Sequence, residues 1–263
     1  MCVQLSPSFR PRTIRHVFMD WDGTTSLTRG GWSDVMVELF AETLPPIPGE
    51  DVRTFARDEL MRLNGRPSIH QMARLAELVG QRGDAALGAD EYQHAYQARI
   101  GLVVAARLAQ VRDGAVLPDA LLVPGVRAFF AALNVRGIPV SLVSGTPYGE
   151  LIEEVRLLGL EHHFSAIVGP SGLSDRAFSK REILRGLLEK HALDGASILA
   201  LGDGPVELIE TRAVGGVAVA VAADEAAPER LDPWKRDTLL AVGADAVIAN
   251  FRPLAEILAT FFP

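Results

Sequence analysis

Two aspartates stand two residues apart in Asp20-Trp21-Asp22-Gly23-Thr24, directly after the apolar run Val17-Phe18-Met19. If that run is a strand, both carboxylates lie where the chain leaves the sheet, and the glycine turn lets them converge on one reacting atom. A free aspartate titrates near ~3.9, so both are ionised at neutral pH. Holding two such anions together calls for a cation or a shared proton. Taken alone, the same five residues also read as a solvated Asp/Gly turn, and both readings stand at this point.

Three further stretches carry groups of complementary chemistry. Ser144-Gly145-Thr146-Pro147 follows the apolar Leu142-Val143. A hydroxyl and exposed N–H groups at a helix start make an anion cradle, or either hydroxyl simply caps the helix. Phe178-Ser179-Lys180 opens another helix; a lysine there opposes the helix macrodipole and calls for solvent or an anion. Gly202-Asp203-Gly204-Pro205-Val206-Glu207 offers two carboxylates about one helical turn apart. Oxygen ligands from separate loops suit Mg2+, which keeps several waters and takes one or two carboxylates. A dinucleotide-binding turn is disfavoured at Gly202-x-Gly204, which lacks the third glycine. Neither Ser144 nor Ser171 lies in a G-x-S-x-G elbow, which disfavours a serine hydrolase.

The elements that must position these groups fall into two textures. Residues 15–20 read as a short buried strand ending on a carboxylate. From about 33 to 112 only helical periodicity is present: a helix capped by Ser33, a second from Asp51, a third capped by Ser68 and a fourth from about Asp90. After Val123-Pro-Gly-Val126 short apolar strands alternate with amphipathic helices: strands at 138–143, 166–168, 197–201, 217–221 and 246–248, with helices at 126–136, 147–158, 180–190, from Val206 and at the end of the chain. That alternation indicates α/β architecture, a three-layer Rossmann-like parallel sheet core with an inserted all-helical cap domain. The expected division is a core of residues 1–25 and 120–263 and a cap of 26–119. Ligands of such sheets bind beyond the carboxyl ends of the strands, where all four motifs fall.

In that order and placement, DWDGT at 20–24, LVSGT around Ser144, Lys180 and GDGPVE at 202–207 resemble the four signatures of the haloacid dehalogenase superfamily, in particular its phosphoglycolate phosphatase and β-phosphoglucomutase-like members. The resemblance implies Mg2+-dependent hydrolysis of a small phosphomonoester through an aspartyl-phosphate. It implies Asp20 as nucleophile and Asp22 as general acid/base, with Lys180 offsetting the charge shared by Asp20 and the phosphoryl group. Gly23, Thr24, Ser144, Gly145 and Lys180 are the implied phosphate-holding set, and Asp20, Asp22, Asp203 and Glu207 the implied metal set. Departures are visible: Trp21 for the usual Phe, Thr25 for Leu, Glu207 for the commoner Asp, and Arg181 where phosphoglycolate phosphatases carry proline after the lysine. Dehalogenases of the superfamily lack the second aspartate, so Asp22 argues against that activity. A phosphomutase and a catalytically silent phosphate- or protein-binding member are the alternatives.

Substrate choice falls to the cap. Arg66, in the turn Asn64-Gly65-Arg66-Pro67-Ser68, is the candidate specificity residue for an anionic or hydroxyl-rich substrate, or else a solvent-exposed turn arginine. His70, His162 and His163 read as packing or surface residues. The 263 residues and net charge of −7 fit a soluble protein and disfavour nucleic acid and anionic membranes as partners. No apolar run is long enough to span a bilayer, and the basic N-terminus lacks the pattern of a signal peptide. One cysteine, Cys2, permits no intrachain disulfide. The resulting expectation is a cytoplasmic monomer or homodimer acting on a small phosphorylated metabolite.

Overall fold

A computed structural model describes residues 2–63, 68–172 and 178–263. It divides into two compact units: residues up to Thr28 together with Leu108–Pro263, and Arg29–Arg107.

The first unit is built on seven strands: β1 (Val3–Leu5), β2 (His16–Met19), β3 (Val140–Val143), β4 (Ala166–Val168), β5 (Ile198–Gly202), β6 (Val217–Val221) and β7 (Ala246–Ile248). Their order across the sheet is β1-β7-β6-β5-β2-β3-β4, and all pairs are parallel except β1 with β7. β2, β3, β5 and β6 are buried at every residue, as strands covered on both faces must be. Alternation still divides the side chains: Val17 and Met19 join one apolar cluster with Phe129, Phe130 and Phe251, while Phe18 joins another with Leu184, Leu187 and Ile198. The helices over these faces include α5 (Val126–Val135), α6 (Tyr148–Leu157), α7 (Lys180–Lys190), α8 (Pro205–Ala213), α9 (Pro233–Ala241) and α10 (Leu254–Phe261).

Register sets the site. Met19 lies beside Leu142 of β3 on one side and Leu201 of β5 on the other. The carboxyl ends of three adjacent strands therefore finish almost level, and the residues that follow them emerge together.

The second unit is all-helical: α1 (Trp32–Thr43), α2 (Val52–Arg62), α3 (Ser68–Gln81) and most of α4 (Ala89–Arg112). Met36, Phe40, Leu60, Met72, Leu75, Tyr92 and Tyr96 form its core. Asp51 caps α2, accepting from the N–H groups of Arg53 and Thr54. No helix among the described residues is long and apolar enough to cross a membrane.

Three local expectations are corrected. Ser33 does not cap α1, because the helix starts at Trp32, two residues earlier than such a cap requires, and Gly31 occupies the cap in a left-handed conformation (φ 79°). The segment that reads as a basic tail contributes the antiparallel edge strand β1, which only its partner β7 makes possible. Helix α9, between β6 and β7, has no counterpart among the expected elements; its Trp-Lys-Arg-Asp run shows no apolar stripe, and only Leu239 is buried.

Candidate active site

Asp20 directly follows β2, and its N–H donates to the Leu201 carbonyl at 3.0 Å, carrying the β2–β5 pairing one residue past the strand. The loop then folds on itself. Thr25 Oγ1 donates to the Asp20 carbonyl at 2.7 Å, and the Gly23 N–H donates to the Ser26 carbonyl at 2.9 Å. Trp21 is fully buried, its indole N–H donating at 2.9 Å to Glu154, a buried carboxylate that also accepts from Thr28 Oγ1 at 2.8 Å. Side chains thus anchor the loop between the two aspartates from below.

Gly23 is required twice over. Its φ of +68° is left-handed, and a Cβ there would lie 2.0 Å from Asp203 Oδ2. The Asp20 loop and the Asp203 carboxylate can share this space only if position 23 has no side chain. Gly202 has the same relation to Glu207, whose Cγ would lie 2.2 Å from an added Cβ. The Glu207 side chain folds back over the start of α8, where Oε1 accepts from the Gly204 N–H at 3.0 Å.

Lys180, the first residue of α7, donates to Asp20 Oδ1 at 2.9 Å and to Glu207 Oε2 at 3.1 Å. These anions answer the unfavourable placement of a cation at a helix N-terminus. Asp20, Asp203 and Glu207 each offer an oxygen to a cluster whose ligand atoms all lie within 4.8 Å of one another, a set able to hold a metal ion. An apolar floor of Phe18, Val143, Leu184 and Ala200 underlies Asp20, Lys180 and Glu207.

Electrostatics follow from crowding and burial. Desolvation pushes the Asp20 carboxyl well above the usual carboxylate range against the pull of Lys180, and the Glu207 and Asp203 charges add to the rise. Burial also raises Asp203, with Lys235 opposing. For Glu207 burial acts upward, but Lys180 and the backbone donors hold it below its ordinary value. Burial would lower Lys180, and the Asp20 and Glu207 charges reverse that, keeping its ammonium protonated. Two of the three clustered carboxyls are thus disfavoured as anions, the condition that a bound divalent cation would relieve.

Asp22 is placed differently. Its Oδ2 accepts from Thr146 Oγ1 at 2.8 Å, so its carboxyl stands beside the loop after β3 and not within the cluster of three. The buried Ser144 Oγ accepts from the Thr146 N–H at 3.0 Å, and Gly145 is exposed beside open space. Thr24 is fully buried with a hydroxyl that has no hydrogen-bond partner among the described residues. Arg66 lies outside the described residues. His163 packs on Phe130 and pairs with Asn134, its pKa lowered by burial to about 4, a core histidine as its sequence context implies.

Four participants are not marked by the sequence. Thr146 reads there as a cap or as part of an anion cradle, not as a partner of Asp22, and Glu154 lies in an ordinary amphipathic helix. Glu225 lies in the segment between β6 and α9 and Lys235 in α9, where no spacing ties them to Asp203. Yet Lys235 Nζ donates to Asp203 Oδ2 and to Glu225 Oε1, each at 2.9 Å.

Known proteins are similar to this chain along most of its length. A phosphoglycolate phosphatase of Rhodospirillum rubrum is 26% identical over 220 residues, covering 82% of this chain and 85% of that protein. A conserved haloacid dehalogenase-like protein of unknown function from Agrobacterium tumefaciens superposes with a TM-score of 0.66 at 18% identity, covering 94% of this chain and 98% of that one. A HAD family hydrolase from Deinococcus radiodurans, with bound phosphate and sodium, gives a TM-score of 0.62 at 17% identity, covering 96% and 99%. At such identities the two structures speak for the fold alone. The family model of the haloacid dehalogenase-like hydrolases matches residues 14–215, a span that contains Asp20, Ser144, Lys180 and Asp203, and the chain belongs to that family.

Proposed function

We propose that the protein is a Mg2+-dependent phosphatase that hydrolyses a small phosphorylated metabolite, a sugar phosphate among the candidates, through an aspartyl-phosphate on Asp20. The observation that carries this reading is the meeting of Asp20, Lys180, Glu207 and Asp203 at the ends of two adjacent strands, with Asp22 one loop away on Thr146.

The residues fit a divalent cation. Three carboxylates that are buried or partly buried converge, desolvation raises two of them, and position 23 is kept bare beside Asp203. Asp20, Asp203 and Glu207 would hold the ion, with Asp22 contributing from its backbone. A bound Mg2+ supplies charge neutralisation for a phosphoryl group approaching an anionic nucleophile. The remaining work belongs to the chain. Asp20 attacks phosphorus, and the P–O bond to the leaving alcohol breaks. Asp22, oriented by Thr146, delivers a proton to the departing oxygen. In the second half Asp22 takes a proton from water, which attacks the aspartyl-phosphate, releases phosphate and regenerates Asp20. Lys180 stays protonated and offsets the negative charge on Asp20 and the transferring group. The Ser144 hydroxyl, the Gly145 N–H and the Thr24 hydroxyl are assigned to positioning the phosphoryl oxygens. In this reading residues 26–119 are the cap that selects the substrate, and Arg66 its specificity residue.

The test is turnover of p-nitrophenyl phosphate and a panel of phosphometabolites, with and without Mg2+, by wild type and Asp20→Asn. Metal-dependent release of phosphate by wild type and not by the variant is expected. No metal-dependent turnover of any phosphoester by either protein would overturn the reading in favour of a silent phosphate- or protein-binding member.

A further inference from the structure

The proposed reaction leaves Lys235 and Glu225 unused, although they are tied directly to a proposed metal ligand. Lys235 Nζ lies 2.9 Å from Asp203 Oδ2 and 2.9 Å from Glu225 Oε1, and the side chains of all three are at most about one-fifth exposed. The segment that delivers them is hydrogen-bonded along its length. Asp224 Oδ1 accepts from the N–H groups of Ala226 and Ala227, and Arg230 pairs with Asp224 Oδ2 at 3.1 Å. The Asp232 N–H donates to the Ala222 carbonyl at 2.8 Å, and the Asp232 side chain caps α9 through Trp234 and Lys235. Lys235 is thus held over Asp203 from two directions, by its helix cap and by Glu225. It lies beyond Gly215, where the match to the family model ends.

Counting the clustered carboxylates and their lysine partners, and leaving aside Asp22, whose carboxyl is held on Thr146, the ionised Asp20, Asp203, Glu207 and Glu225 carry four negative charges, and Lys180 and Lys235 carry two positive ones. The surplus of two negative charges equals the charge of one divalent ion. Without Lys235 the surplus is three; without Glu225 it is one.

Resting on the metal site proposed above, we infer that Lys235 is a positioning residue that sets the charge of that site. Lys235 takes one oxygen of Asp203, Glu225 restrains the lysine, and the pair matches the cluster to a single divalent cation.

The inference makes a signed prediction that a merely structural role does not. Calorimetric titration of MgCl2 into the full-length protein, without substrate, is compared for wild type, Lys235→Met, Glu225→Gln and the double variant. Removing the lysine charge should tighten Mg2+ binding at least about tenfold, and removing the glutamate charge should weaken it at least about tenfold, the order reached by a unit charge and a divalent ion a few ångströms apart even under water-like screening. The double variant, with the surplus of two restored, should return to within about twofold of wild type. If Lys235 were only a prop, both single variants would weaken binding and the double variant would not recover; that result overturns the inference. Should Lys235→Met fail to fold, Glu225→Gln and the double variant carry the same test, since only charge matching makes the second substitution restore what the first removes. A wild-type protein that takes up no Mg2+ removes the metal site and this inference together. Mg2+ binding of equal affinity in all four proteins removes the inference alone.

Discussion

Strand β2 carries a titratable side chain at each end: His16 is its first residue, and Asp20 immediately follows its last. Both are buried, at 1% and 8% exposure, and burial disfavours the charged form of each. Their surroundings diverge. His16 shares one hydrogen bond with Ser141 at 2.9 Å and faces the His191 ring at 5.5 Å, and no anion among the described residues is paired with it. Burial, assisted by the charge of His191, pushes its pKa down to about 4, so it stays a neutral core residue. Asp20 meets Lys180, Glu207 and the carboxylate of Asp203 within a few ångströms. The same desolvation therefore creates a silent packing group at one end and an electrostatically loaded one at the other. What separates a core residue from a reactive one in this strand is the set of loops that arrive beside it, not burial.

That contrast can be broken from either end. The largest effect belongs to Asp20→Asn. Phosphatase activity should fall by roughly 10⁴-fold or more, as expected when a nucleophile is removed, while the thermal midpoint does not fall, because a carboxyl whose ionisation burial disfavours has been replaced by a neutral isostere. Steady-state kinetics and a melting curve on the same preparation check both halves.

At the opposite end the effect is one of stability and pH. His16 binds its proton more weakly when folded (about 4) than when unfolded (6.5). Between these values the unfolded chain holds more protons, so stability rises with pH through the window and is lost as pH falls from 6.5 toward 4. The loss from this residue should be on the order of 3 kcal/mol at most. Denaturant titrations across that range should show the slope in wild type and a shallower one in His16→Gln.

A smaller change sharpens the site end. Gly23→Ala should displace the Asp203 carboxylate and weaken Mg2+ binding by roughly 10–100-fold, the range seen when a group that orients a metal ligand is lost; calorimetry reads it directly. Smallest of all, Trp21→Phe deletes the indole hydrogen bond to the buried Glu154 and should lower unfolding free energy by about 1.5 kcal/mol, measured by urea denaturation. An unchanged stability would mean that the loop between the two aspartates is held without the indole hydrogen bond, by its backbone and Thr25.

Much of this architecture is legible in the sequence. The buried strand before Asp20, the alternation after Val123 and the four strand-end motifs follow from periodicity and turn chemistry, both local properties. Lys180 at a helix start calls for solvent or an anion, and the structure supplies anions, Asp20 and Glu207. The features that sequence reasoning does not reach share one cause. β1 is three residues long and exists only because β7 offers it an edge. Helix α9 buries a single leucine, too little for a readable stripe. Trp21 and Glu154 are 133 residues apart, and Asp203 and Lys235 are 32 apart; no spacing rule connects such pairs.

The order of residues dictates which groups are available and that they leave the sheet at strand ends, because strand periodicity, glycine turns and helix starts depend on neighbouring residues. Folding in three dimensions selects which carboxylates share a cluster, turns Asp22 to Thr146, and brings a second lysine over Asp203. The reason is physical: charge interactions depend on distance through space, and the order of strands across the sheet, not their order along the chain, sets those distances.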